Sequence, residues 1–120
     1  MTKITKLSKD EIIEINKRLG EGGIVVNQGN FEHMLDKLGH IEDPVECATV
    51  LLHDIILRHP FLNGNKRTAF YAAISVIELR GLKFKYAREE IDKVGIFLNR
   101  IALGEINKLE IRKWIEEMIV

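Results

Sequence analysis

The residues equipped for chemistry are gathered in one run, His59-Pro60-Phe61-Leu62-Asn63-Gly64-Asn65-Lys66-Arg67, set between two of the most apolar stretches of the chain. His59 is the one side chain among them that takes up a proton near neutral pH, which makes it the candidate general base. Proline pushes the residue before it out of the α region, so an apolar helix expected over 45–57 should stop near Arg58 or His59. A second helix is expected over 66–80, capped by Asn63, Gly64 or Asn65. The first N–H groups of that helix have no intrahelical acceptor, and a glycine beside them leaves room for close approach, so together they form a cradle for an anion. Lys66 and Arg67 sit in its first turn, where the helix dipole disfavours a cation by about 0.3–1 kcal/mol. Two cations at the wrong end of a helix, preceded by amides, make sense beside a polyanion such as phosphate. The alternative is that both side chains simply turn into water.

Each remaining residue of the run has a reading from its own chemistry. Gly64 lets phosphate reach the backbone, Lys66 supplies a point charge, and Arg67 can grip phosphate as a fork. Asn65 either hydrogen-bonds phosphate or holds the loop. Asn63 either offers its side-chain oxygen to a magnesium ion or caps the helix. Phe61 reads as a structural anchor that fixes the loop in the core.

The pattern His-Pro-Phe-x-x-Gly-Asn-Lys-Arg, followed by Thr68-Ala69, resembles the signature of the Fic/Doc family. It is closest to the Doc (death on curing) toxin branch, in which lysine replaces a second glycine. The resemblance implies an ATP-dependent transferase in which His59 removes a proton from a hydroxyl of a target protein and that oxygen attacks a phosphate of bound ATP. It further implies Mg2+ at the acidic position of the motif, phosphate contacts from the asparagine and arginine, and a flap over Ile24, Val25 and Val26 that adds the target as a strand. Fic enzymes with the second glycine attach AMP (AMPylation), whereas Lys66 favours the Doc activity, phosphorylation of a translation factor. Asn63 stands where the family has Asp or Glu, and magnesium prefers carboxylate oxygens. Three outcomes stay open: a slow enzyme, an enzyme drawing its metal ligand from elsewhere, and an inactive nucleotide-binding module. The family's inhibitory motif puts Ser or Thr four residues before Glu-Gly or Glu-Asn, but Lys17 precedes Glu21-Gly22 at that spacing. The resemblance therefore implies a toxin-antitoxin pair in which a separate antitoxin docks at the flap and the loop mouth.

Helices must position this loop, and their signals are local. Ser8-Lys9-Asp10-Glu11 is a capping box, with Ile12, Ile15 and Leu19 at helical spacing and Gly20 at the end. The glycine-bearing stretch from Glu21 to Gly29 is either a small hairpin or an irregular loop, with Ile24 and Val26 either exposed or tucked into the core. Asn30 is the expected cap of a short helix bearing Phe31, Met34, Leu35 and Leu38 and ending at Gly39. Gly39 also separates His33 from His40, so these read as surface histidines. Asp43-Pro44 opens the apolar helix, whose polar interruptions are His53 and Asp54. Ala69, Ala72 and Ala73 permit close helix contact, and Gly81 ends that helix. Lys83 to Tyr86 is at most one short extended segment; Glu89 and Glu90 open a helix with Ile91, Val94, Leu98 and Ile101 inside. Asn107-Lys108-Leu109-Glu110 is a further capping box, leading Ile111, Trp114 and Ile115. The expected fold is all-α, a single compact bundle of about six helices forming one domain over 1–120.

Composition bounds the partners. Lysine plus arginine equals aspartate plus glutamate at 18 each, so no broad field attracts DNA or a membrane surface, and any anion site is local. Cys47 is the only cysteine, which excludes an internal disulfide. The first residues carry no signal-like apolar run and no stretch is long enough to span a bilayer, so a cytoplasmic location is expected.

Overall fold

The computed structural model describes residues 7–85 and 91–120. Among them are six helices: α1 Lys9–Arg18, α2 Gln28–Gly39, α3 Pro44–Arg58, α4 Asn65–Leu79, α5 Ile91–Ala102 and α6 Lys108–Met118. No strand longer than an isolated bridge occurs among the described residues, as an all-α bundle requires. The expected helix opening at Glu89 and Glu90, and the extended segment's end at Tyr86, lie outside the described residues; Phe84 pairs as a bridge with Ile119.

Local sequence explains most helix ends. The Ser8 hydroxyl accepts from Glu11 N–H at 3.2 Å, while the Glu11 carboxylate accepts from Ser8 N–H at 3.0 Å. Asn107 and Glu110 close the same reciprocal pair at 2.9 and 3.3 Å. Each pair satisfies two backbone donors that the helix itself leaves unpaired. Asp43 caps α3 through Val45 N–H, with Pro44 in the first turn. The start of α2 departs from expectation, because its cap is Asn27 and not Asn30. Both asparagines are spent elsewhere. Asn30 Nδ2 donates to Arg58 O at 3.0 Å, and Asn27 Nδ2 donates to the Arg58 and His59 carbonyls.

Helix α3 is the centre of the bundle. It packs against α2, α4, α5 and α6, while α1 lies on α4. Cys47, Ala48, Val50, Leu51, Leu52, Ile55 and Ile56 are all buried on it, so it meets neighbours on most sides, as its near-uniform apolarity requires. Small side chains at Ala69, Ala72 and Ala73 bring α4 close to it. One hydrophobic cluster draws on every helix and includes Phe61, which is 1% exposed and tilted against Phe31 with ring centroids 5.5 Å apart. The loop after α3 is thus nailed to the core by its third residue.

The polar interruption in α3 is an ion cluster. Asp54, 1% exposed, accepts from His53 Nδ1 at 2.9 Å through Oδ1, while Oδ2 makes no directional hydrogen bond and faces the Lys37 ammonium of α2 as an ion pair. Burial alone would raise the Asp54 carboxyl, but the His53 hydrogen bond and the Lys37 charge outweigh it and bring it from 3.8 down to about 2. A carboxylate depressed in the folded state contributes stability above its unfolded value and loses it as pH falls from 3.8 towards 2. Asp54→Asn is therefore expected to lower stability by about 2 kcal/mol at neutral pH. The gap between variant and parent should shrink in thermal melts as pH falls through that window.

Candidate active site

Three elements converge on the loop 59–64. Helix α3 ends at His59, whose N–H still bonds Ile55 O at 3.2 Å, and whose backbone turns left-handed with φ 46 and ψ 61. His59 is the only non-glycine residue with positive φ among the described residues. That conformation is costly for a residue with a side chain, and it persists where neighbours hold it. The neighbours here are Asn27, bonding the His59 carbonyl, and the flap backbone, where Val26 N–H and Asn27 N–H both donate to Pro60 O.

The flap is an irregular loop with one bridge, Val25 to Phe61, closed by Leu62 N–H to Ile24 O at 2.9 Å. In this pairing the polar groups of residues 24 and 26 face the loop, which leaves those of Val25 on the outer edge. Val25 packs against the core, whereas Ile24 and Val26 are 51% and 50% exposed. Leu62, 53% exposed, adds a third aliphatic side chain on the loop they pair with.

Gly64 is the N-cap of α4, at φ 73, and supplies no side-chain cap. Thr68 is the first residue whose N–H finds a backbone acceptor, Gly64 O at 2.9 Å, so the amides ahead of it are the bare end of the helix. Lys66 and Arg67 are both exposed at this end. Lys66 Nζ reaches Asn99 on α5 at 3.2 Å, and Arg67 Nη1 reaches Glu21 at 3.3 Å. His59 is likewise exposed. The Asn63 side chain is exposed and makes no hydrogen bond among the described residues; its backbone carbonyl turns inward.

Of the two roles open to Asn65, its side chain takes the loop-holding one. It is nearly buried, with Oδ1 accepting from Phe61 N–H at 3.0 Å and Nδ2 donating to Phe61 O at 2.9 Å. That leaves the Asn65 backbone N–H, not its amide, for an anion. Nδ2 also approaches His59 Nδ1 at 3.4 Å. An amide nitrogen only donates, so Nδ1 presents its lone pair to it across a long, weak contact.

Two further residues of this site, Asn16 and Glu21, belong to no motif for it. Asn16, fully buried on α1, donates to Asn63 O at 2.9 Å and Thr68 Oγ1 at 3.0 Å, and accepts from Gly23 N–H at 2.7 Å. A polar residue one turn after Ile12, on the apolar face of a helix, was its only sequence signal. Glu21 pairs with Arg67, and its side chain lies so close over Gly64 that a Cβ there would overlap Glu21 Cγ. Glycine at 64 is thus required twice, by its φ and by the carboxylate chain beside it.

The Fic/Doc family model matches residues 6–77, more than half of the chain and the whole of this site apart from Asn99. The chain belongs to the Fic/Doc family. Members of this family are in general transferases that act on proteins. A comparison with curated proteins returns no match. Among the described residues no helix is long and apolar enough to cross a membrane.

Proposed function

We propose that this Fic/Doc chain is a Doc-like transferase that moves the γ-phosphoryl group of ATP to a hydroxyl of a target protein. The observation that carries the reading is the end of α4, where two exposed cations and unpaired amides gather at the positive pole of a helix, with an exposed histidine held in a strained backbone on the same loop. The backbone N–H groups of Gly64 and Asn65, together with Lys66 and Arg67, bind the phosphates. His59 takes the hydroxyl proton, the hydroxyl oxygen bonds the γ-phosphorus, and the bond to the β-phosphate oxygen breaks to release ADP. The long contact from Asn65 ties up the imidazole lone pair only weakly, and its release accompanies proton uptake. Ile24, Val25 and Val26 receive the target as an added strand through the free edge at Val25.

Magnesium fits this loop poorly. The only donor at the motif's metal position is the neutral amide oxygen of Asn63, where a magnesium ion normally takes one or two carboxylates besides phosphate. Lys66, in the place of a second glycine, supports phosphoryl over AMP transfer. An inactive nucleotide-binding module is the reading that Asn63 favours.

Incubation with magnesium and γ-labelled or α-labelled ATP in cell extract separates these. Protein label from the γ position alone is expected. Label from the α position would replace phosphorylation by AMPylation, and no label from either would end the transferase reading. A separate antitoxin docking over the flap and loop mouth would suppress the label.

Arg67 reaches its phosphate only by leaving Glu21. A half-exposed ion pair of this kind is worth about 0.2–1 kcal/mol. Glu21→Gln, which preserves the shape beside Gly64, is therefore expected to tighten ATP binding about two- to fivefold by calorimetry.

A further inference from the structure

We infer that Asn16 is a positioning residue of the phosphate site, setting which way the Gly64 amide points and tying the cradle to the flap. The inference rests on the phosphate-binding reading given above. The Asn16 side chain has no solvent exposure, so every polar atom on it must find its partner inside the fold. Nδ2 spends both hydrogens, on Asn63 O and Thr68 Oγ1, and Oδ1 accepts from Gly23 N–H. The orientation of the amide is fixed, because Gly23 N–H can only donate and Asn63 O can only accept.

The consequence follows from peptide planarity. The bond between Asn63 and Gly64 is trans, as are all those among the described residues, so the Asn63 carbonyl and the Gly64 N–H are antiparallel across one plane. Drawing Asn63 O inward onto the buried Asn16 sends the Gly64 N–H away from it. Gly64 tolerates that rotation at φ 73. The Gly64 amide, one of the unpaired amides at the start of α4, is thus aimed from α1 by a residue that touches no ligand.

The same residue builds the flap's root. Its backbone carbonyl accepts from Glu21 N–H at 3.1 Å, and its side chain accepts from Gly23 N–H, so the turn 21–23 folds around it. Gly23 fits there only as glycine, at φ 68 with the Lys17 side chain packed where a Cβ would stand. Glu21, the partner of Arg67, is carried on this turn. One side chain therefore sets the cradle, the carboxylate over it and the start of the flap in a common frame.

Asn16→Asp keeps the acceptor for Gly23 and replaces the donor to Asn63 by an oxygen that repels it. Thr68→Val serves as the control, since it removes another partner of Asn16 and leaves the Asn63 contact in place. ATP affinity is measured by calorimetry well below each melting midpoint, and the Gly23 and Gly64 amides are followed by NMR. The Asp variant should bind ATP about tenfold more weakly, the loss expected for a misdirected hydrogen bond to a charged group. Its Gly64 resonance should move while Gly23 stays protected. Thr68→Val should lose melting temperature but keep its affinity within about twofold, whereas a purely structural role of Asn16 would make affinity fall with melting temperature in both variants. Equal ATP binding by parent and a folded Asp variant would overturn the inference. Should that variant not fold, the parent decides: ATP must shift the Gly64 amide, and binding that leaves it unmoved sinks the role of Asn16 alone. A parent that binds no ATP sinks the phosphate reading as well, which marks that failure apart.

Discussion

His59→Ala is expected to lower label transfer from ATP by about 10²–10⁴-fold, the usual contribution of a positioned general base. ATP affinity should stay within about twofold, because the proposed phosphate site is the start of α4 and not the imidazole. His59 ends α3 in an unfavourable left-handed conformation that Asn27 and Pro60 lock in place, yet its ring is left at the surface with one weak partner. A histidine kept only to end a helix has no need of that backbone, since glycine would serve better. Asparagine tolerates the left-handed region better than alanine, so His59→Asn controls for altered backbone. Both variants should lose transfer equally in a single-turnover assay with bound ATP. Recovery in the asparagine variant would assign the loss to loop geometry, and the base to another group.

How far the sequence carried the fold depended on the range of each signal. The capping boxes at Ser8 and Asn107, the Asp43-Pro44 start and the stop before Pro60 are set by residues within one turn, and each stands where the local pattern places it. The cap of α2 falls at Asn27 and not at Asn30, and neither amide caps through its side chain, because both bond carbonyls at the end of α3 that are distant in sequence. The same limit governs the site. Its exposed cations and histidine were legible from one contiguous run, whereas Asn16 and Glu21 join it from 47 and 46 residues away. No periodicity announces such contacts. Asn65 illustrates an intermediate case, since either role satisfies its chemistry and only its two hydrogen bonds to the Phe61 backbone show that its amide belongs to the loop.

Asn63→Asp is expected to raise magnesium-dependent transfer by about 10–100-fold, the range over which a metal's supporting groups alter its affinity. Position 63 is exposed, one residue before the cap of α4, and its side chain makes no hydrogen bond among the described residues, so aspartate can be installed without breaking one. The new charge has two opposing effects. Near the helix N-terminus it is stabilising by about 0.3–1 kcal/mol, and as a carboxylate it gives magnesium the hard anionic ligand that the amide lacks. Against free ATP it does the reverse, because it repels the phosphates and weakens the pull of Lys66 and Arg67. The variant should therefore bind ATP more weakly than the parent in chelator and more tightly when magnesium is supplied. This crossing of the two titrations separates a metal effect from a general change in the loop. Were the variant weaker at every magnesium concentration, the amide at 63 would not be what limits the proposed transfer, and the ion would have to be held by ATP alone or by a carboxylate brought in from elsewhere.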